Sequence, residues 1–555
     1  MEQISDEKQK NDKQYEPQTI YSHTQGSDSY AQVEILVNDS GLLAKSYGEP
    51  GIHAFLKSTT VLLCSWAAAM CGFLYGYDQG LINVTLSIPR FLEAFPMVDT
   101  TADSHAGFYK GLVTAIFELG AVIGALQAAI FSDKISRRYT IIIAVAWYLV
   151  GSVLQAVARD YTMLVFGCLV GGIGVGAASM IAPLYINEIA PPHIRGALYT
   201  LQQWMLILGI VAAFYTTYGA RYIAGDWSWR TAFVAQILPA FVLLSVVYVL
   251  PFSPRWLGLV GRDTECLATL AKLRKLPTED TRVQAEWIII RAEAILQARL
   301  SGVSSRGGSK SFRQHVICEY RRWARCAEKR YIKRIWLGVV INLFQQWVGV
   351  NGFTYYSTTL FAQLGYGYEQ RLTLSGLLCV CQLVGSTVPI FIIDRVGRRP
   401  LLLVGTFFLI SCHVINATVV GAGTAFMFVF MFFFEISWGP IAWGLPAEIL
   451  PSAVRAEGAA LSTASNWLNN FVVGLIVPAI VQQAPYASFA LFACTAFCAT
   501  IWVFLFVPET KGKTIEELSG TFGDGASEEE TAMYSVILSQ VLGAGVAMDL
   551  HLGEP

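Results

Sequence analysis

The sequence predicts an all-α membrane protein in which twelve transmembrane helices form two parallel-duplicated halves of six helices each. Three observations lead to this fold class: a strongly apolar composition, a six-plus-six series of apolar runs, and an internal repeat. Of the 555 residues, 54% are hydrophobic and only 14% are charged. Because soluble proteins usually carry about 25% charged residues, water is not the main solvent of this surface.

The apolar runs have the length that a bilayer requires, since a membrane helix needs about 20 mostly apolar residues. Six runs precede a long polar segment and six follow it, and an even number places both termini on one side of the membrane. The expected spans are 61–84, 108–131, 139–158, 162–186, 198–218, 230–250, 335–360, 371–393, 401–421, 424–447, 459–481 and 486–507.

These spans divide the chain into five expected parts. Residues 1–57 are polar and are expected to form a disordered N-terminal tail, because such a segment buries too little apolar surface to fold. Residues 58–250 and 335–507 are the two six-helix halves, and residues 251–334 are a linker with short helices. Residues 508–555 form the C-terminal tail.

The basic residues indicate how the chain is oriented. The segment 255–334 holds 18 Lys and Arg against 8 Asp and Glu, whereas the loop 85–107 holds Arg90 against three acidic residues. Loops rich in Lys and Arg stay on the cytoplasmic side of a membrane. The linker and both tails are therefore expected in the cytoplasm, and the multi-pass protein is expected in the plasma membrane.

Three motifs of the first half recur in the second half about 260 residues later. "DKISRR" returns as "DRVGRR", Glu-Ile-x-Pro returns with its following arginine, and "PFSPR" returns as "PETKG". Their first residues are Asp133 and Asp394, Glu188 and Glu448, and Pro251 and Pro508. A constant spacing on same-side loops predicts two halves related by an axis along the membrane normal, and transporters built this way bind substrate at the midplane.

The repeated loop pair and four motifs carry a family resemblance: "PLYINEIAPPHIRG" (183–196), "QQWVGVNGFTYY" (345–356), "WGPIAWGLPAEILP" (438–451) and "PETKG" (508–512). In this order and spacing they resemble the sugar porter family of the major facilitator superfamily, especially its fungal monosaccharide transporters. The resemblance covers about residues 58–518. It implies the major facilitator fold and a secondary transporter that moves a hexose or pentose by alternating access.

Span 7 contains the polar residues best suited to a sugar. Gln345, Gln346 and Asn351 carry amides, which both donate and accept hydrogen bonds, and Gly349 and Gly352 predict a break in the helix. The resemblance implies substrate binding by Gln203, Gln345, Gln346, Asn351, Gln382, Glu435, Trp443, Asn466 and Asn470, and gating by Tyr355 and Tyr356. The alternative is that such side chains only join neighbouring membrane helices.

Charged residues at the cytoplasmic helix ends repeat in both halves, and the resemblance implies a salt-bridge network that closes the inner gate. The expected members are Asp133, Arg137, Arg138, Glu188, Arg195, Arg255, Asp394, Arg398, Arg399, Glu448, Arg455 and Glu509. Ser136 replaces the family's glycine, and Phe252 replaces its acid. We therefore expect a weakened latch and a larger outward-facing population after Phe252→Glu. The basic residues alone could instead serve only to fix topology.

An acidic residue within a membrane span indicates function by default. The resemblance implies that Asp78 in span 1 couples transport to protons, and symport is the expectation. In related symporters a span-4 arginine holds this aspartate, but here Cys168 stands at that position. Facilitated diffusion therefore stays open, as does titration of Glu118 or Glu435.

Other classes of function find little support in the sequence. No nucleophile–base pair or metal cluster emerges, so neither an enzyme nor a cofactor is expected, and a net charge of −1 argues against a nucleic-acid partner. Gly172, Gly174 and Gly176 lie in an apolar helix and indicate helix packing rather than a dinucleotide loop. The expected partners are a sugar, protons and membrane lipids, and the expected functional unit is a monomer. A facilitative uniporter, a sugar sensor and a porter of a polyol or metabolite remain as alternatives.

Overall fold

The computed structural model describes residues 27–48, 58–98, 106–301, 312–418, 423–483, 485–511, 522 and 532–543. Helices and short 3-10 turns account for all regular structure in these ranges, and the described ranges contain no strand. Twelve spans cross the membrane in two sets of six, as the sequence predicts.

The first half contains spans 1 to 6. Their bounds are Thr59–Thr85, Ala106–Ile135, Arg137–Ala156, Tyr161–Ile189, Arg195–Ala220 and the pair Trp227–Ala235 with Ile237–Val247. Spans 7 to 12 form the second half. They are the pair Lys329–Trp347 with Val350–Gln363, then Tyr368–Val396, Arg398–Thr418, the pair Gly423–Ile436 with Trp438–Ile449, Arg455–Gln483 and Pro485–Phe506. Short helices at Pro89–Ala94 and Pro96–Val98 follow span 1.

Spans 7 and 11 are less apolar than the other ten, which alone combine the length and hydropathy of a simple membrane helix within the described residues. Span 7 is interrupted at Gly349, where the predicted break is present and φ is 101°. A Cβ at this position would lie 2.6 Å from the Phe492 ring. The amides of both spans lower their mean hydropathy, and the break divides span 7 into two shorter helices.

Glycines allow two pairs of spans in the first half to pack closely. A Cβ at Gly172 would lie 2.0 Å from the Phe117 carbonyl oxygen, and one at Gly176 would lie 1.9 Å from that of Ala121. The glycines of span 4 therefore serve its packing on span 2. Gly76 makes the same kind of contact between spans 1 and 5.

A second hydrophobic core lies outside the membrane-spanning bundle and combines the first three linker helices with helices of both tails. The linker helices are Pro254–Val260, Asp263–Arg274, Thr281–Ser301 and Phe312–Arg325. Helices Ser27–Asn38, Ser40–Ser46 and Ala532–Gly543 pack against this core. Its members include Val33, Val37, Trp287, Ile288 and Ile537.

Residues 27–46 depart from the expectation of a disordered tail. The segment is polar on average, but Val33, Leu36 and Val37 recur at helical spacing and are buried, so one helix face gains enough apolar contact to fold. The rest of the expected tail, at 1–26 and 49–57, lies outside the described residues.

The two halves touch at the inner side, at the centre and at the outer side. On the inner side, where the linker lies, Asp394 accepts a hydrogen bond from the backbone N–H of Ala197 at 3.0 Å. On the outer side Arg221 pairs with Glu369 at 2.7 Å. The structure therefore shows the bundle closed toward both faces of the membrane.

Candidate functional site

The amides of span 7 hydrogen-bond to those of span 11. Gln346 Nε2 donates to Asn466 Oδ1 at 2.9 Å. Asn351 Nδ2 donates to Asn470 Oδ1 at 2.6 Å and to Gln346 Oε1 at 2.5 Å. All four side chains are buried. The break at Gly349 brings Asn351 beside Gln346, which a continuous helix would not do.

Two further residues extend this cluster toward span 10. Asn466 Nδ2 donates to Asn342 Oδ1 at 3.0 Å and also to Gln345 Oε1. Gln345 Nε2 in turn donates to the carbonyl oxygens of Trp438 and Gly439, each at 3.2 Å. These carbonyls lie next to the interruption of span 10 at Ser437. Asn342 was not singled out from the sequence, although it lies one helical turn before Gln345 and Gln346.

Glu435 joins the two halves at the centre of the bundle. It is fully buried. Its carboxylate accepts a hydrogen bond from Gln203 of span 5 at 3.0 Å and from Gln382 of span 8 at 2.8 Å. Gln203, Gln382 and Glu435, which the resemblance implies for substrate binding, are thus joined by hydrogen bonds to the Glu435 carboxylate.

Aromatic rings line the same region. Trp443 lies 6.2 Å from Tyr75 and 6.3 Å from Trp467, and Tyr75 lies 4.5 Å from Trp467, between ring centroids. Tyr75 and Trp467 were missed in the sequence, where nothing separates them from ordinary packing aromatics. A sugar presents a weakly apolar ring face, so rings next to amides provide the two kinds of contact it needs.

The two expected gating tyrosines have different surroundings. The Tyr355 hydroxyl donates to Glu118 Oε1 at 2.6 Å and accepts from Gln79 Nε2 at 2.7 Å and Asn470 Nδ2 at 3.2 Å. It therefore links spans 1 and 2 of the first half to spans 7 and 11 of the second. Tyr356 donates instead to the Gly474 carbonyl of its own half at 2.8 Å, and its hydroxyl also faces Thr114 of span 2.

Asp78 lies apart from the amide cluster, in a small cavity of the first half. The cavity is also lined by Cys168, Gln155 and Thr85. Asp78 faces the Tyr148 hydroxyl, while its Oδ2 atom has no hydrogen-bond partner. Cys168 thus lies beside the aspartate, where it brings no positive charge.

The repeated charges at the inner helix ends form ion pairs within each half. In the first half Arg137 pairs with Glu188 at 2.8 Å and with Asp133 at 3.0 Å, and Ser253 Oγ donates to Glu188 at 2.5 Å. All these groups are almost completely buried, which makes each pair costly to break.

The second half repeats this arrangement. Arg398 pairs with Asp394 at 3.1 Å and with Glu448 at 2.7 Å, and Thr510 Oγ1 donates to Glu448 at 2.8 Å. Arg137 and Arg398 each pair with the acids of their own half, and among the described residues neither arginine forms an ion pair with the other half.

The remaining expected members bind other groups. Arg138 donates to the carbonyls of Tyr248 and Leu250, Arg399 donates to that of Phe504, and Arg455 donates to that of Leu450. Arg255 pairs with Glu293 of the linker at 2.7 Å. Glu509 accepts the backbone N–H groups of Arg398 and Arg399 at 3.1 Å each. Arg195 is partly buried, and its Nε atom has no partner.

An arginine of the linker connects the two halves. Arg322 lies 3.4 Å from Asp133 of the first half and 4.0 Å from Glu457 of the second. Neither Arg322 nor Glu457 belonged to the expected network, because neither lies in a repeated motif. The inner closure thus rests on the linker as well as on the Asp394–Ala197 contact.

Similarity to known proteins identifies the family of this chain. The family described as "Sugar (and other) transporter" matches residues 64–522, most of the chain. The chain belongs to this sugar transporter family. The low-affinity glucose transporter HXT3 of Saccharomyces cerevisiae is 29% identical to this chain, over 86% of this chain and 84% of the relative. Hexose transporter 2 of Kluyveromyces lactis is 30% identical, over 84% and 83%.

Solved structures confirm the twelve-helix major facilitator fold of this sugar transporter. The proton:xylose symporter XylE bound to 6-bromo-6-deoxy-D-glucose superposes with a TM-score of 0.72 at 27% identity, covering 84% of this chain and 99% of that one. The inward-open conformation of XylE from E. coli gives 0.62 at 26% identity, covering 83% and 99%.

Proposed function

We propose that this sugar transporter moves a neutral monosaccharide, a hexose or a pentose, by alternating access around the amide cluster. The observation that carries the proposal is the set of buried hydrogen bonds joining Gln346, Asn351, Asn466 and Asn470 beside Trp443. Each amide can exchange its present partner for a sugar hydroxyl, because it both donates and accepts. None of the described residues that hydrogen-bond within the amide cluster is Lys or Arg, so nothing there favours a carboxylate substrate.

The relatives support the choice of substrate. The yeast proteins are named as glucose, hexose and galactose transporters, and XylE is named as a proton:xylose symporter. Hexoses and pentoses both have a ring that carries several hydroxyl groups, and these hydroxyls are what the amide cluster binds.

A neighbouring pair of asparagines provides a matched test. Asn470 belongs to the cluster, whereas Asn469 binds Trp347 Nε1 at 2.9 Å and the Ser465 carbonyl at 2.8 Å. A lost hydrogen-bond partner costs about 1–3 kcal/mol, so Asn470→Ala should weaken sugar affinity by about 5- to 150-fold. Asn469→Ala should leave the affinity close to native. Competition by hexoses, pentoses and polyols in a transporter-deficient host would measure both.

Three outcomes of that experiment would contradict the proposal. Equal losses in both variants would mean that the cluster does not hold the sugar. Competition by polyols alone would favour a polyol porter. An absence of uptake by well-expressed native protein would favour a sensor.

We further propose proton symport in the plasma membrane, by a monomer with both tails in the cytoplasm. The symporter XylE and the unpartnered oxygen of Asp78 support proton coupling, and the basic linker supports the orientation. Asp78→Asn should equilibrate sugar without accumulating it, and tags on both termini should be protected in intact cells. Uptake that is indifferent to an uncoupler would instead indicate facilitated diffusion.

A further inference from the structure

One buried carboxylate of span 2 has no role in sugar binding or in the inner network. Glu118 is 2% exposed. Its Oε1 atom accepts the hydrogen bond from Tyr355, and its Oε2 atom has no hydrogen-bond partner. Because an ionised carboxylate with an unpaired oxygen is costly inside a membrane protein, this geometry favours a neutral side chain with a proton on Oε2.

The surroundings of Glu118 provide no cation to stabilise its charge. The titratable groups that face it are Tyr75 and Asp78 of span 1 and Tyr355 and Tyr356 of span 7. Span 4 packs along span 2 and contains no Lys, Arg or His. Span 11 also packs there, and its only basic residue is Arg455 at the inner end. Among the described residues Glu118 forms no ion pair.

The hydrogen bond of Glu118 crosses between the halves. Glu118 and Gln79 belong to the first half, while Tyr355 and Asn470 belong to the second, and the Tyr355 hydroxyl is the atom they share. Tyr355 has one hydroxyl proton and donates it to Glu118, so it cannot also satisfy Oε2. Separation of the halves on the outer side must break this bond and admit water to the carboxylate.

We propose that Glu118 is a proton-binding site that controls the outer gate through Tyr355. With the gate open, water solvates the carboxylate, which exchanges its proton with the outer medium. Closure removes that water and requires the neutral form, so a proton from the outside favours the closed gate. This proposal rests on the proposed transport function and concerns gate closure, whereas Asp78 concerns accumulation.

The test measures gate opening directly. A cysteine introduced at Thr358, one turn beyond Tyr355 in span 7, should react with a membrane-impermeant thiol reagent only when the gate is open. In the otherwise native protein, labelling should be slower in mildly acidic than in neutral medium. Glu118→Gln keeps the acceptor for Tyr355 but cannot titrate, so labelling should be slow in both media. The protein without the introduced cysteine gives the background from native thiols.

A second variant keeps the test decisive if Glu118→Gln folds poorly. Tyr355→Phe retains the carboxylate but removes the hydroxyl that holds the gate, so labelling should be faster than in the native protein in both media. A pH difference that persists in Glu118→Gln would overturn the proposal, as would a native gate that ignores pH. Sugar uptake by the same cells separates the two proposals: uptake without pH-dependent labelling refutes only the role of Glu118, whereas an absence of uptake refutes transport.

Discussion

Ser136 and its counterpart Gly397 have nearly the same backbone conformation, with φ 104° in both and ψ 159° and 164°. This region is almost restricted to glycine, and other residues there cost about 1–3 kcal/mol. Ser136 gains only a long cap, since its Oγ accepts from Tyr139 N at 3.4 Å, and replacing a capping serine by glycine costs a few tenths of a kcal/mol. Ser136→Gly should therefore stabilise the protein by about 1 kcal/mol.

The residues next to Ser136 and Gly397 explain why the first half has serine where the second half has glycine. A Cβ at Gly397 would lie 2.6 Å from Glu509 Oε2, so glycine and glutamate occur together in the second half. In the first half Ser136 occurs with Phe252, whose ring stacks on Trp256 at 5.3 Å. Phe252→Glu alone would remove the aromatic contact with Trp256, which is worth about 0.5–1.5 kcal/mol. It would also place the new carboxylate against the Ser136 side chain.

The stability change in the double variant Ser136→Gly, Phe252→Glu should therefore differ from the sum of the two single changes. With glycine at 136, a glutamate at 252 can accept two backbone N–H groups, as Glu509 does at 3.1 Å. The coupling free energy should be at least about 1 kcal/mol. It is obtained from the apparent melting temperatures, in detergent, of the native protein, the two single variants and the double variant. The outward-facing shift expected for Phe252→Glu should then appear only in the double variant. Gly397→Ser is the mirror control and should destabilise the protein. Single effects that add within about 0.5 kcal/mol would refute the reasoning.

Two further predictions concern the cavity of Asp78 and the turn between spans 4 and 5. Cys168→Arg places a cation in the cavity of Asp78 and should raise the ratio of accumulated to external sugar; an unchanged ratio with and without an uncoupler would contradict it. Burial, together with the nearby Arg274, lowers the pKa of His193 from 6.5 to about 4. The unfolded chain therefore takes up a proton that the folded protein refuses, and stability should fall as pH drops from 6.5 toward 4. His193→Gln should flatten this fall in apparent melting temperature, and parallel curves would exclude the role of His193.

Sequence patterns predict the spans because their signal is long and repeated. The break of span 7 is also predictable, since Gly349 adopts a positive φ that glycine favours. The interruptions of span 6 at Gln236 and of span 10 at Ser437 were not predicted, although Pro239 and Pro440 follow them and proline suits the first turn of a helix. Proline alone does not distinguish a break, because Pro183 and Pro389 lie inside continuous spans.

The candidate site is predictable in its residue types but not in its pairing. Gln345, Gln346 and Asn351 could be selected because amides are rare in apolar runs. Their partner Asn342 could not be separated from an amide that joins helices. Arg322 lies in a basic linker where many arginines are solvated, so its contact with Asp133 follows only from the three-dimensional fold.

The proposed binding site would let a sugar enter a dry centre without a large loss of hydrogen bonds. In the structure Glu435 accepts from Gln203 and Gln382, and Asn470 accepts from Asn351. In the proposed binding mode, an entering sugar replaces these contacts with hydrogen bonds to its own hydroxyls, so the net gain per bond is small. Specificity then follows from the penalty for a missing hydroxyl, since any analogue that lacks one leaves a buried amide or carboxylate unpaired. Release is equally feasible, because the amides return to one another once the sugar has left.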